Sequence, residues 1–421
     1  MKTLREITLA ALAALLLAGC TVPVAESVPP TIGPLGLEQV PWEGGPEYWK
    51  QFAKADAAGW DEPEFFPIVA WYNGVSNQEE IDFDKELGIN TYIGMPATFE
   101  SSWLNDNDMY WIGGAINDTF NEKTPSWVGY ILDDEVDGRF EPEAGRKHLS
   151  EISSEVPDGL FKYANYTYMV LENDLKASDS EQYVNDFTDV VSVDKYWYTI
   201  PHCSAEPYRD VSLVPIKQES CRSASSYGQT MDALRQRDTV DGKLQPLWQF
   251  VENMGGSDKE STFSEYITPN QLRGAVMNSV IHEARGIVYF NQALSGPCQG
   301  GNVFRMAQVH VGYCGEEQVD AARIVNNQIH QLASVLNTQS LAFELNPEVD
   351  TMLKVHDGYA YVFAMTAPEK SSGDSEMKLP EGISGTTVEV LFEDRKIPVN
   401  NGTFRDSFQH EYTYHVYKVK L

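Results

Sequence analysis

Beyond its first twenty residues the chain has no apolar run long enough to cross a bilayer, and no glycine-rich phosphate loop follows any of its apolar runs. It has no CxxC pair and no cysteine–histidine cluster, so neither a structural zinc site nor any other metal is expected, and no cofactor is implied. Positive charge is scarce: 31 Lys and Arg stand against 62 Asp and Glu, a formal net charge of −31. Such a body repels polyanions, which excludes nucleic acid as a partner and favours a neutral ligand. Aromatic residues, in contrast, are abundant, with 9 Trp and 21 Tyr, more than a core of this size needs.

Lys2 and Arg5 precede an apolar stretch, Ile7 to Leu17, too short to span a bilayer as a mature helix. It closes on Leu17-Ala18-Gly19-Cys20, which resembles the lipobox of bacterial lipoproteins. The resemblance implies a signal peptide over 1–20, lipidation of Cys20, and an exported protein of the cell envelope or surface whose only membrane attachment is that lipid. An ordinary secretion signal with an incidental Cys20 is the alternative. Residues 21–46, rich in Pro, Gly, Val and Glu without a clear period, read as a tether. In an exported chain the four remaining cysteines suggest disulfides. The local pairs Cys203–Cys221 and Cys298–Cys314 are the economical choice among three connectivities.

The remainder divides into two patterns. Apolar runs that read as strands begin at Phe66, Thr91, Met109, Trp127, Leu160, Asp189, Pro246 and Gly286, with helical stretches between them. Eight strands alternating with helices over 47–341 predict a (β/α)8 TIM barrel rather than an open doubly wound sheet. From residue 342 the period changes to two, with turns at His356-Asp357-Gly358 and Asn400-Asn401-Gly402. That pattern predicts a small C-terminal antiparallel β-sandwich over 342–421.

In a barrel, function gathers at the C-terminal strand ends. "GYILDDEVDG" brings strand four to Glu135, and "PLWQFVEN" brings strand seven to Glu252. Two such carboxylates, about 5–5.5 Å apart, are what retaining glycosidases use as acid/base and nucleophile. Asp133 and Asp134 would raise the cost of ionising Glu135 and so keep it protonated.

These two motifs resemble the strand-four and strand-seven signatures of clan A glycoside hydrolases, the group that includes the family 42 β-galactosidases. The resemblance implies that Glu135 is the acid/base and Glu252 the nucleophile. One position departs from it: Asp134 replaces the usual Asn, whose amide donates to the sugar 2-hydroxyl, and an ionised Asp can only accept. Aromatics and amides at strand ends suit a carbohydrate substrate: Trp71 and Asn73, the run Tyr196-Trp197-Tyr198, Trp248, and Asn291-Gln292. For any one aromatic, packing inside the barrel competes with sugar stacking, and for Trp248, within its strand, the core is favoured. Asp133 reads as structural, bonding to loop amides or to an Arg such as Arg285; Asp194 reads equally as a polar layer residue. His202 and His282 read as ordinary hydrogen-bonding residues.

The leading expectation is therefore a surface-anchored retaining glycoside hydrolase acting on a β-linked neutral oligo- or polysaccharide. The runner-up is a non-catalytic glycan-binding lipoprotein on a degenerate glycosidase barrel. A hydrolase using Asp133 and Asp194 instead is disfavoured because it leaves Glu252 unexplained.

Overall fold

A computed structural model describes residues 31–199, 203, 212–255, 265–294 and 296–421. The expected signal peptide with Cys20, the first part of the expected tether, and His202 lie outside the described residues.

Eight parallel strands close into a barrel in chain order. They are β1 (Ile68–Trp71), β2 (Thr91–Ile93), β3 (Tyr110–Ile112), β4 (Trp127–Asp134), β5 (Phe161–Thr167), β6 (Val190–Asp194), β7 (Leu247–Glu252) and β8 (Gly286–Phe290). β8 returns to pair with β1, from Ile68 opposite Ile287 to Trp71 opposite Phe290. The helices are α1 (Pro46–Trp49), α2 (Ala53–Ala57), α3 (Gln78–Glu86), α4 (Ser102–Asn105), α5 (Val136–Arg139) and α6 (Pro142–Ser153). Beyond them come α7 (Ala177–Asn185), α8 (Ser225–Asp238), α9 (Pro269–Ile281), α10 (Val303–Val309) and α11 (Glu316–Leu336). Local chemistry sets several starts: Pro142 and Pro269 occupy first turns, where a missing N–H costs nothing, and Thr268 with Gln271 forms a capping box. The third strand, expected over 109–115, is only three residues long, and its pairing with β4 shifts register at Trp111/Ile112.

Inside the barrel, alternate residues pack on one another: Val69 and Trp71, Phe161 and Tyr163, Val190, Trp248 and Phe250, Val288. The other faces meet the helices. Trp49 and Trp60, carried by the segment ahead of β1, close the N-terminal end against Phe161 and Trp248. Gly286 is needed here, because a Cβ would stand 2.6 Å from the Trp248 indole.

After the barrel come β9 (Ser340–Leu341), β10 (Val349–His356), β11 (Tyr359–Thr366), β12 (Gly373–Lys378), β13 (Thr387–Val390), β14 (Arg395–Pro398), β15 (Thr403–Phe408) and β16 (Tyr414–Lys420). Six form a sheet in the order β14-β13-β16-β11-β10-β9, and β12 pairs with β15 in a separate antiparallel ribbon. The turns hold Asp357-Gly358 and Asn401-Gly402 at positive φ, as tight hairpins with the strands' right-handed twist require. Along β11, Ala360, Val362 and Ala364 face the core shared with the ribbon residues Met377, Phe404 and Phe408. Tyr361, Phe363 and Met365 face the barrel helices. The strand is buried on both sides.

The tether reading does not hold for residues 38–46. Gln39 bridges to Leu341, the Val40 N–H donates to the Ser340 carbonyl at 3.0 Å, and that of Ala342 donates to the Glu38 carbonyl at 2.8 Å. The segment covers the open edge of β9, a position that unpaired backbone groups make receptive. Glu43 is buried beside Arg285 at 3.2 Å, and Pro46 already opens α1. Both expected disulfides are present, Cys203–Cys221 after β6 and Cys298–Cys314 after β8, with Cα separations of 5.9 and 5.8 Å.

Because Phe363 is fully buried between barrel and sheet, Phe363→Ala should cost about 3–5 kcal/mol in urea unfolding. A cost below about 1 kcal/mol would mean that the two do not share a core.

Candidate active site

The two-residue alternation of β6 continues past its end. Val190, Ser192, Asp194 and Tyr196 point inward, while Val191, Val193 and Trp197 point out to the helices. On β7 the same rule sends Trp248, Phe250 and Glu252 inward. β4 reaches the mouth through an irregular pairing with β5 between Ile131 and Asp134. Glu135 then adopts a left-handed backbone, φ 53° and ψ 35°, at the head of α5, and its N–H donates to the Asn165 carbonyl at 2.8 Å. A non-glycine residue held there costs of order 1 kcal/mol, and bulges and such conformations concentrate where a side chain must be aimed.

Asp134, Glu135, Asp194 and Glu252 converge. All four act electrostatically on Tyr196, whose hydroxyl is pushed well up, by burial first and then by Asp194, Asp134, Glu252 and Glu135. Asp194 lies close to Glu135, and burial together with the charges of Glu135 and Asp134 lifts its carboxyl far above the usual range, so Asp194 holds a proton there. Asp134 accepts from the Asn165 amide at 2.9 Å, yet burial still raises it to about 6. The network continues inward, the Ser192 hydroxyl donating to Asn165 at 2.7 Å and lying 2.6 Å from the Tyr163 hydroxyl.

Glu252 is fully enclosed. Tyr227 on α8 donates to both carboxylate oxygens at 2.8 Å, and the Thr199 hydroxyl donates at 3.2 Å. Burial outweighs these donors and raises its pKa from 4.5 to about 7.

Asp133 is bonded to donors of its own, as its structural reading expects, while its charge still acts on Asp134. Its burial is outweighed by donors: the Asp134 N–H, His148 at 2.6 Å, and Arg139, which leave it below the ordinary range. Arg285, the partner suggested from sequence, instead pairs with Glu43 and Glu283. The like charges that hold the proton on Asp194 come from Glu135 and Asp134.

Of the aromatics expected at the mouth, Tyr196 lies inward, its ring 5.2 Å from that of Phe290. Trp71 is also inward but buried edge-on against Phe250, while its neighbour Tyr72 is half exposed. Trp197 is a correction: it is fully buried outside the barrel, its indole N–H donating to Thr230 on α8 at 3.0 Å. Tyr198 turns to Tyr227 and bonds Glu411 of the C-terminal sheets at 2.8 Å. Trp248 belongs to the packed N-terminal end of the barrel, so it is not at the mouth. Asn73 is committed to Asp84 and Asn302, and Asn291 to the Tyr72 carbonyl, Asn253, Asn302 and the Phe304 N–H. Both amides bind loops together, which removes them as sugar ligands. Gln292 is half-buried past β8. His282, as expected, is an ordinary bonded residue, between Asp232 and Asp350. Tyr227, Thr199 and Asn165 were not anticipated. In the sequence Asn165 is marked only by the local pattern Asn165-Tyr166-Thr167, and nothing in a helix such as α8 signals that Tyr227 reaches back into the barrel.

No protein-family model matches the chain, and no curated protein does. Among solved structures, AmyP in complex with maltose is similar over 86% of this chain and 98% of that one, at 11% identity and a TM-score of 0.47. The α-amylase of Geobacillus thermoleovorans, complexed with acarbose, covers 85% and 99% at 11% identity and 0.46. A glycoside hydrolase family 30 subfamily 8 xylanase from Clostridium acetobutylicum covers 85% and 96% at 10% identity and 0.46. At such identities and scores the likeness is one of general shape.

The raised Glu252 carboxyl has a stability signature. The folded protein keeps a proton that the unfolded chain releases near pH 4.5, so the associated stability is full below that pH and is lost as pH rises through about 7. Glu252→Gln removes this titration. It should therefore gain on wild type between pH 4.5 and 8 by about 3 kcal/mol, read as melting temperature. A difference independent of pH would mean that Glu252 ionises normally.

Proposed function

We propose that the protein is a retaining glycoside hydrolase that cleaves a neutral glycan at the C-terminal mouth of its barrel. The observation that carries this reading is the gathering of Glu252, Asp194 and Glu135 at the strand ends around Tyr196. Retaining hydrolysis needs one carboxyl group that carries a proton and one that can ionise and attack. In this reading Glu135 supplies the first, donating a proton to the leaving oxygen and then taking one from water, while the raised Asp194 beside it stays protonated. Glu252 supplies the second, with the Tyr227 and Thr199 hydroxyls aiming its oxygens and favouring its ionised form. A β-linked substrate follows from the strand-four and strand-seven motifs, and Tyr72 and Tyr196 are the aromatic rings best suited to a sugar face.

The full enclosure of Glu252 favours the second reading, a barrel that binds glycan without cleaving it. The two are separated by a panel of α- and β-linked aryl glycosides and neutral polysaccharides. Binding without turnover on that panel selects the second.

With an active aryl glycoside in hand, the two carboxylates should fail differently. Glu252→Ala should abolish turnover, with azide restoring activity and inverting the product. Glu135→Ala should still form a glycosyl-enzyme from an activated substrate, and azide should rescue it with retention. If both variants keep wild-type rates, the assignment is wrong. The lipid anchor is tested by fractionation: Cys20→Ser should move the protein from membrane to soluble fraction, and a variant that stays bound after a salt wash would refute the lipobox reading.

A further inference from the structure

We propose that Glu411, which belongs to the C-terminal sheets, is a positioning residue for Glu252. It fixes Tyr198 and the first turn of α8, and these in turn fix the hydroxyl that holds the strand-seven carboxylate. Glu411 sits in the turn between β15 and β16 and is half-buried against the barrel. Its two oxygens accept from the Tyr198 hydroxyl at 2.8 and 3.0 Å, and one also accepts from the Ala224 N–H at 2.8 Å. Ala224 is the cap of α8, a helix of 14 residues that has no side-chain cap of its own. The carboxylate thus occupies the amide end of the helix, where unpaired N–H groups and the peptide dipoles favour negative charge.

Tyr227 lies in the first turn of that helix. The Tyr198 N–H donates to its hydroxyl at 3.3 Å, and the two rings pack with centroids 5.6 Å apart. The Tyr227 hydroxyl then gives its own proton to both oxygens of Glu252 at 2.8 Å. Every link from Glu411 to Glu252 is therefore a hydrogen bond or a ring contact between buried groups. An interdomain contact with no such task could be apolar, and burying a carboxylate costs free energy that these two donors only partly offset: burial raises Glu411 while the Ala224 N–H and Tyr198 lower it. The titratable groups beside these links are His410 on the same turn and Arg222, which acts on both Tyr227 and Glu252. Without Glu411 the Tyr227 donor is free to drift, and a carboxylate that loses a donor becomes harder to ionise.

The role of Glu252 as nucleophile rests on the hydrolase reading, so the test has one arm with substrate and one without. With an aryl glycoside, Glu411→Ala should lower kcat about tenfold or more with little change in KM, and should move the acid limb of kcat/KM to higher pH. Glu411→Gln, which keeps one acceptor oxygen, should fall between. Without substrate, the pH midpoint of the stability gained by Glu252→Gln should move upward when Glu411→Ala is also present. Should Glu411→Ala fail to fold, Tyr198→Phe removes only the hydroxyl link and carries both arms. An acid limb and a midpoint that stay where they are in wild type overturn the proposal, even if kcat falls, because a merely structural loss moves neither. A midpoint that moves in a protein that hydrolyses nothing upholds the positioning role and refutes the hydrolase reading.

Discussion

The two-residue alternation of a strand, imposed on eight strands that close on themselves, governs what this protein can bring together. Each inward position is surrounded by others and each outward position meets a helix. A carboxylate at a strand end is therefore either trapped among its like or spent on the scaffold. Asp194 and Glu252 fall inward, and Glu135 joins them only because β4 breaks step and then turns through a left-handed residue. Asp133, one residue away in sequence from Asp134, falls to the other side, where Arg139 and His148 neutralise it. The crowded acidic run at the end of β4 thus serves two environments.

Enclosing several carboxylates in one mouth opposes folding, since each must lose its water while its neighbours repel it. The protein limits that cost with neutral donors, Tyr227, Thr199 and Asn165. The Arg139 guanidinium goes to Asp133, and that of Arg222, which acts on Glu252 from a distance, is bonded to the Trp197 and Tyr198 carbonyls. Neutral donors leave protons free to move between them, which suits acid/base work near neutral pH.

Strand order, barrel closure, the two-period tail and both disulfides were legible from apolar runs, turn residues and cysteine spacing. Glu135 and Glu252 were legible as positions, because a strand end is a place that pattern alone locates. Side-chain commitments were not. The run Tyr196-Trp197-Tyr198 sends its rings in three directions: Tyr196 to the mouth, Trp197 to α8 and Tyr198 to Glu411. Asn73 and Asn291 looked like sugar ligands because sequence does not show that Asn302 and Asp84 already occupy them. The segment 38–46 looked like a tether because a single added strand edge and one buried Glu43 leave no periodic trace. The amide missing at Asp134 has a counterpart one strand over on Asn165, a relation that exists only in register.

β11 is apolar on both faces, one toward the ribbon and one toward the helices. Sheets that are joined to a catalytic barrel by a wet surface can be exchanged between genes as separate cassettes. Here a break in the reading frame after residue 341 would leave Tyr361, Phe363 and Met365 without a wall to lie against, and would strip the same wall from the barrel. Recombination at that junction yields two greasy, aggregation-prone fragments. The appendage and the barrel share one core, so a change to the wall on either side must be matched on the other.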